Sequence, residues 1–179
     1  MAVSPDGRYL AVAHVLSRYQ VPTTQLDRGW MNTNAVTIID TAHPDRPHPV
    51  LLDDPDAGAA NPWGVLFSPD GSLLLVTHAG THELSVIDFL ALLARMKKED
   101  RSGNPVSERL GFLHDIRTRV RLPLNGPRAL ASDGENVYVT GYFSDTLAQV
   151  PLKTDAVPRN IPLNAEYRPS RERLGEQYF

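Results

Sequence analysis

The sequence predicts an all-β protein in which one four-stranded antiparallel unit occurs three times. The first observation is a recurring turn, since Ser4–Gly7 (SPDG) matches Ser68–Gly71 (SPDG) and, less closely, Ala131–Gly134 (ASDG), at separations of 64 and 63 residues. The second is that a run rich in apolar residues follows each turn. The third is the Asp-Gly pair between two apolar runs, a strong hairpin signal because glycine adopts the positive φ angles that tight turns need.

The remaining strands follow in the same order in each copy. The strand after the turn is expected at 8–14, 72–78 and 135–141, the next at 35–40, 84–88 and 147–150, and the last at 48–53, 119–124 and 159–163. Four antiparallel strands per repeat are typical of a propeller blade. The predicted fold class is therefore a partial β-propeller of about three blades, at approximately 1–54, 61–125 and 126–164, followed by a linker at 165–179.

Each copy is longer than an ordinary blade of about 40 to 50 residues, which predicts insertions. In the first copy, residues 16–34 separate the second and third strands; in the second, residues 90–117 separate the third and fourth. Phe89, Leu92, Leu93 and Met96 follow helical spacing. We therefore expect a short amphipathic helix around 89–98, lying on the rim of the propeller.

Three blades are too few to close a propeller, because four to eight are typical. The chain also begins within a first strand, with only Ala2 and Val3 before the turn. We therefore expect it to be a piece of a longer protein, with further blades upstream and another domain downstream.

Composition excludes several classes of function. Eighteen basic and 21 acidic side chains leave a net charge of −3, so nucleic acid and anionic membranes are not expected partners. The chain has no cysteine, which excludes disulfides, thiolate metal sites and covalent haem attachment within it. The longest apolar run, 89–94, is too short for a membrane span.

Several stretches resemble known repeats. Residues 76–88 and 138–147, with the SPDG turns, resemble YVTN-type bacterial β-propeller repeats. Residues 21–34, 58–65, 77–88 and 173–179 are similar to extracytoplasmic propellers that precede a c-type cytochrome domain related to di-haem peroxidases. In that family, a segment like Gly175–Phe179 leads into the first haem-attachment sequence.

The resemblance implies a scaffold or binding module of a periplasmic or extracellular electron-transfer protein. It implies no cofactor in this chain, and haem c in a missing C-terminal cytochrome domain. That domain, in cis, is the expected partner, and a redox partner protein is a further one. Any peroxidase-like activity is implied for the missing domain and not for this chain.

The candidate site lies at one mouth of the propeller. In a blade, the loops before the first strand and after the second reach the same mouth, so ligand- or partner-facing residues are sought there. Two of them, His14 and His78, lie seven residues after their turn glycines, where the third copy has Gly141. The expected mouth residues are His14, Trp30, Trp63, His78, His82 and Glu83.

The alternative function is a metal-dependent hydrolase or lactonase with His14, His78 and Glu83 as ligands. The order of His78, His82 and Glu83 does not match the helical His-Glu-x-x-His pattern, in which two histidines lie one turn apart. The plain structural interpretation is that the histidines are hydrogen-bonded strand ends and that Trp30 and Trp63 cover the tops of blades.

Other charged groups also have two interpretations. Asp40 and Asp88 end equivalent strands, either as an acid–base pair or as turn formers that accept backbone hydrogen bonds. Residues 53–56 (DDPD) resemble a calcium-loop fragment or form a solvated loop. A set of arginines could contact propionates or an acidic partner: Arg117, Arg119, Arg121, Arg168, Arg171 and Arg173. Alternating arginines on a strand are, however, more typical of an exposed strand edge.

Overall fold

The computed structural model describes residues 1–17, 32–102, 106, 109–152, 157–164 and 168–176. Within these residues it has twelve strands and two helices. They are β1 (Ala2–Val3), β2 (Tyr9–Ser17), β3 (Asn32–Asp40), β4 (His48–Leu51), β5 (Pro62–Phe67), β6 (Leu73–His78), β7 (Glu83–Asp88), α1 (Phe89–Ser102), β8 (Arg117–Arg121), β9 (Pro127–Ser132), β10 (Asn136–Gly141), β11 (Thr146–Pro151), β12 (Arg159–Pro162) and α2 (Arg171–Gly175).

The strands form three four-stranded antiparallel sheets in chain order: β1 to β4, β5 to β8, and β9 to β12. The predicted partial propeller of about three blades is confirmed. Three strands differ most from their expected bounds, since β2 continues to Ser17, β3 begins at Asn32, and β8 runs from Arg117 to Arg121. The Leu122 N–H continues the β7–β8 register by donating to the His82 carbonyl (3.0 Å).

The recurring turn is held by the same hydrogen bonds in the first two blades. The Ser4 hydroxyl donates to Asp6 (2.5 Å) and accepts from the Tyr9 N–H (2.8 Å). Ser68 makes the matching bonds to Asp70 (2.6 Å) and the Leu73 N–H (2.9 Å). Gly7 and Gly71 follow with φ of 72° and 71°. The sequence repeat therefore reflects the chemistry of one turn.

Two hydrophobic clusters stack the blades. Leu74 and Leu75 are consecutive and fully buried, but strand alternation sends them to opposite faces of the second sheet. Leu74 joins Ala11, Ile38 and other residues of the first sheet, whereas Leu75 joins residues of the third sheet such as Val139. The second blade thus lies between the other two.

Helix α1 is longer than the predicted 89–98, and its apolar side completes the first cluster. Asp88 caps it by accepting the Ala91 N–H (2.9 Å), which confirms this aspartate as a turn former. The Phe89 ring packs edge-to-face on Tyr9 (5.4 Å between centroids) and Phe67 (4.9 Å). The insertion is therefore part of the core between the first two blades.

Helix α2 lies in the expected linker and is capped by Ser170, whose hydroxyl accepts the Arg173 N–H (3.2 Å). Neither helix in the described ranges is long and apolar enough to cross a membrane.

Candidate functional site

Five of the six predicted mouth residues lie in described parts of the structure, and Trp30 lies outside them. His78 ends β6, whereas His14 lies within β2, which continues to Ser17. His82 is in the β6–β7 connection, Glu83 begins β7, and Trp63 is in β5.

His78 is fully buried, and both of its ring nitrogens are engaged. Nδ1 lies 3.2 Å from the Ala59 carbonyl oxygen and Nε2 lies 2.7 Å from the Ser85 hydroxyl. Because a carbonyl can only accept, Nδ1 carries the hydrogen, and Nε2 then accepts from Ser85. Burial, reinforced by the charges of Arg119 and Arg117, lowers the pKa of His78 to about 4. The side chain is therefore neutral at pH 7.

His14 makes an equivalent bond in the first blade. Its Nε2 lies 2.7 Å from the Thr37 hydroxyl, in the same diagonal relation across two strands as His78 and Ser85. Its side chain points away from the second blade, because the alternate residues Tyr9 and Ala11 face that blade. The first sheet thus separates His14 from His78, and the two do not form a pair.

His82 joins two loops of the mouth. It has a positive φ of 57°, and its Nδ1 accepts the Gly126 N–H (3.0 Å) from the connection between the second and third blades. Burial lowers the pKa of His82, which favours the neutral form that this bond requires.

Glu83 belongs to an ion-pair network that ties the β4–β5 connection to β8. Arg119 binds Glu83 and also donates to Asp54 (3.1 Å) and to the Gly58 carbonyl (2.7 Å). Arg117, whose side chain is 3% exposed, binds Asp54 and the Leu52 carbonyl. Partial burial acts to raise the pKa of Glu83, but the hydrogen bond and charge of Arg119 outweigh it and leave that pKa lowered.

This network corrects two expectations. Arg117 and Arg119 do not form an exposed strand edge, because the β4–β5 connection supplies carbonyls and Asp54 to them. Nor is the acidic segment a freely solvated loop. Asp53 accepts hydrogen bonds from the Asn34 N–H (2.7 Å) and the Ala59 N–H (2.7 Å). Except for the Asp53–Ala59 bond, these contacts join residues 19 to 65 positions apart, which local patterns do not reveal.

The same mouth carries an aromatic–arginine stack, of which only Trp63 was predicted as a mouth residue; Arg173 was among the arginines expected to contact propionates or an acidic partner. The Arg128 guanidinium lies 4.3 Å from the Trp63 ring centroid and 3.6 Å from that of Tyr142. Helix α2 adds Arg173, whose guanidinium lies 4.3 Å from the same Tyr142 centroid, and Arg173 also binds the Tyr142 carbonyl and Glu176. Trp63 is 56% exposed and Tyr142 is 43% exposed.

A sequence signal for this stack did exist. Pro62 pairs with His78 in the second blade as Pro127 pairs with Gly141 in the third, so Trp63 and Arg128 occupy equivalent positions in adjacent blades. Gly64 lets the two strands approach, because a Cβ there would lie 2.0 Å from the Arg128 carbonyl oxygen. The Thr77 hydroxyl bridges them, accepting from the Gly64 N–H (2.7 Å) and donating to that carbonyl (2.9 Å).

Among the residues that the structure describes, no group of three His, Asp or Glu side chains is arranged to hold a metal ion. Within the alternative ligand set, His78 uses both nitrogens internally, Glu83 binds Arg119, and His14 lies across the first sheet. The side chains exposed at the described part of the mouth are aromatic and cationic.

Comparisons with known proteins agree on the fold. No protein family model matches the chain. It is 28% identical over 156 residues to hydrazine synthase subunit beta of Kuenenia stuttgartiensis, covering 85% of this chain and 40% of that protein. A solved structure of hydrazine synthase from the same organism matches with a TM-score of 0.73 and 28% identity, over 86% of this chain and 45% of that one.

The periplasmic gluconolactonase of Pseudomonas aeruginosa matches with a TM-score of 0.52 and 18% identity, over 93% of this chain and 42% of that one. The chain therefore spans less than half the length of these relatives. By its own sheets and by these likenesses, the chain is part of a β-propeller.

Proposed function

We propose that the chain is the propeller binding module of an extracytoplasmic redox complex, in which it docks other components and supplies no reacting group. The observation that carries the proposal is the likeness to hydrazine synthase subunit beta, which extends over 85% of the chain. That protein is by name one subunit of a larger enzyme. If this chain is likewise one subunit of a complex, the ligands of its mouth are other proteins.

The chemistry of the mouth supports a binding role. A general base or metal ligand needs an available lone pair, but both nitrogens of His78 are engaged and Glu83 is ion-paired with Arg119. The exposed groups are instead Trp63 and Tyr142, with Arg128 between them. Tryptophan, tyrosine and arginine are the residue types enriched at the energetic centres of protein interfaces.

The proposal extends to the partner. The resemblance to YVTN-type propellers with cytochrome domains suggests that the docked component carries haem c, either in cis or as a separate subunit. This chain has no cysteine to hold such a haem covalently. Its proposed part in electron transfer is therefore to position the haem-carrying component.

Gentle purification of the affinity-tagged protein, produced from its own gene in its native host, tests the proposal. We expect a haem-containing protein or domain to co-elute in a species larger than the 19.8 kDa of this chain. An unrelated tagged periplasmic protein from the same host serves as the control. Recovery of a haem-free monomer at low ionic strength would contradict the proposal.

The metal-dependent lactonase remains the second candidate, favoured by the fold likeness to the periplasmic gluconolactonase. It would require His78 to exchange a hydrogen bond for a metal and His14 to reach the site from the other side of a sheet. Metal analysis of the purified protein separates the two candidates. We expect no stoichiometric metal, whereas a bound metal that is lost in His78→Ala would favour the lactonase.

A further inference from the structure

We propose that the arginine stack, defined as Trp63, Arg128 and Tyr142, is a docking site for a carboxylate side chain from an acidic segment of a partner protein. This inference rests on the proposed binding function and identifies where the partner is held and by which chemistry. The side chains come from β5, β9 and the β10–β11 turn, so two adjacent blades build the site.

The guanidinium of Arg128 is held in place from both sides. The rings of Trp63 and Tyr142 lie 4.3 and 3.6 Å away, measured to their centroids. The backbone of Arg128 is fixed by the Thr77 hydroxyl, which donates to its carbonyl oxygen (2.9 Å). A planar cation between two rings keeps its N–H donors at its edge. The orientation of these donors is therefore fixed before a ligand binds.

The charge of Arg128 is not neutralised within the described part of the chain. No described carboxylate lies within 4 Å of its guanidinium, and its buried Nε has no hydrogen-bond partner among the described residues. Arg117, by contrast, binds both a carboxylate and a carbonyl. Arg128 therefore has a vacant donor edge where Arg117 has a filled one.

A carboxylate fits this edge better than other ligands. Arginine binds carboxylates through two parallel N–H···O bonds, and the two flanking rings shield part of the guanidinium from water, which strengthens such a pair. Arg173, stacked on the far side of Tyr142, adds positive charge although it also binds Glu176. The exposed ring surfaces supply the apolar contact that a peptide backbone and its methylene groups can cover.

A protein is favoured over nucleic acid as the source of the ligand. Bases could stack on Trp63 and Tyr142, but phosphates require a basic field, and the chain carries a net charge of −3. An acidic segment needs only the local charge of the stack. Oligonucleotide binding is accordingly one outcome of the test.

Fluorescence titration tests the site. The protein has two tryptophans, so Trp30→Phe leaves Trp63 as the only indole reporter. The probe is a capped octapeptide of glutamate and aspartate, compared with a capped octalysine and a single-stranded DNA octamer. We expect saturable quenching or enhancement by the acidic peptide alone. Arg128→Lys keeps the charge but loses the planar guanidinium, and should weaken binding of the acidic peptide at least tenfold. The control, Arg46→Lys, changes an exposed arginine near the opposite mouth and should leave that binding unchanged.

A second measurement guards against misfolding of the Trp30→Phe variant. In the ¹⁵N-labelled wild-type protein, the Arg128 Nε–H signal, assigned by its loss in Arg128→Lys, should shift with the acidic peptide. No saturable change up to millimolar peptide, equal binding of octalysine, tighter binding of the DNA octamer, or full binding by Arg128→Lys would each overturn the site.

The outcomes also separate this site from the proposed function. If Arg128→Lys abolishes peptide binding but still co-purifies with the haem-containing component at wild-type yield, the complex holds and this surface is not its docking site. If peptide binding depends on Arg128 but no haem-containing component co-purifies, the carboxylate site holds and the redox complex is rejected.

Discussion

His78 matters to stability through its charge state. It is buried between the first two blades with both nitrogens engaged, and a proton on Nε2 would remove the acceptor that the Ser85 hydroxyl uses. The lowered pKa of His78, about 4, reflects the free energy that protonation requires in the folded protein. In the unfolded chain the same histidine has an ordinary pKa near 6.5. Between these two values only the unfolded state takes up the proton.

The free energy of unfolding should therefore be undiminished above pH 6.5 and fall as the pH drops toward 4. We expect a loss of about 2 kcal/mol between pH 7 and pH 5 from this residue, measured by urea denaturation. The carboxylates of Asp70 and Asp133, with pKa values of about 2, titrate below this window. His78→Gln should remove most of the loss, and His114→Gln, at an exposed histidine, should not. An unchanged pH dependence in His78→Gln would refute this assignment.

At the scale of elements, the contact between β5 and β9 depends on Gly64. A Cβ at this position would lie 2.0 Å from the Arg128 carbonyl oxygen, which is backbone and cannot rotate away. Gly64→Ala should therefore separate the strands and destabilise the protein by about 1–3 kcal/mol or more. It should also weaken the acidic-peptide binding that depends on Arg128.

Gly58→Ala is the matched control for this substitution. The nearest atom to a Cβ at Gly58 is an Asp53 oxygen at 3.8 Å, an ordinary contact. We expect its free energy of unfolding, from urea denaturation, to match the wild type within about 0.5 kcal/mol, as is usual for surface changes. Equal stability of Gly64→Ala and Gly58→Ala would show that β5 and β9 can move apart without cost.

The same elements show what the sequence could predict. The Ser-Pro-Asp-Gly turns were recognisable because the bonds of Ser4 and Ser68 are made within five residues. The network of Arg119 with Asp54 and the stack of Arg128 on Trp63 each join residues 65 apart, so their partners emerge only after the blades stack. The turns and strands could therefore be predicted from the sequence, whereas the side-chain partners could not, apart from the equivalent repeat positions of Trp63 and Arg128.

At the scale of the whole molecule, the three blades bury their faces unequally. The second blade has a hydrophobic cluster on each side. The outer face of the first sheet, which carries Leu10, Val12 and His14, has no sheet packed on it within the described part of the chain. The equivalent residues Leu74, Val76 and His78 in the second blade are fully buried. The same repeat positions thus have two environments.

Leu10 and Leu74, each three residues after a turn glycine, allow a direct test of this difference. Leu74 is fully buried, so Leu74→Ala should cost about 2–5 kcal/mol of unfolding free energy. Leu10 is half-buried, so Leu10→Ala in this chain should cost about 1 kcal/mol. Both are measured by urea denaturation at several protein concentrations. If a longer product of the gene stacks another blade on this face, Leu10→Ala should become as costly there as Leu74→Ala. If Leu10→Ala and Leu74→Ala instead lose the same unfolding free energy in this chain, and the loss depends on protein concentration, two copies of the chain cover this face of each other.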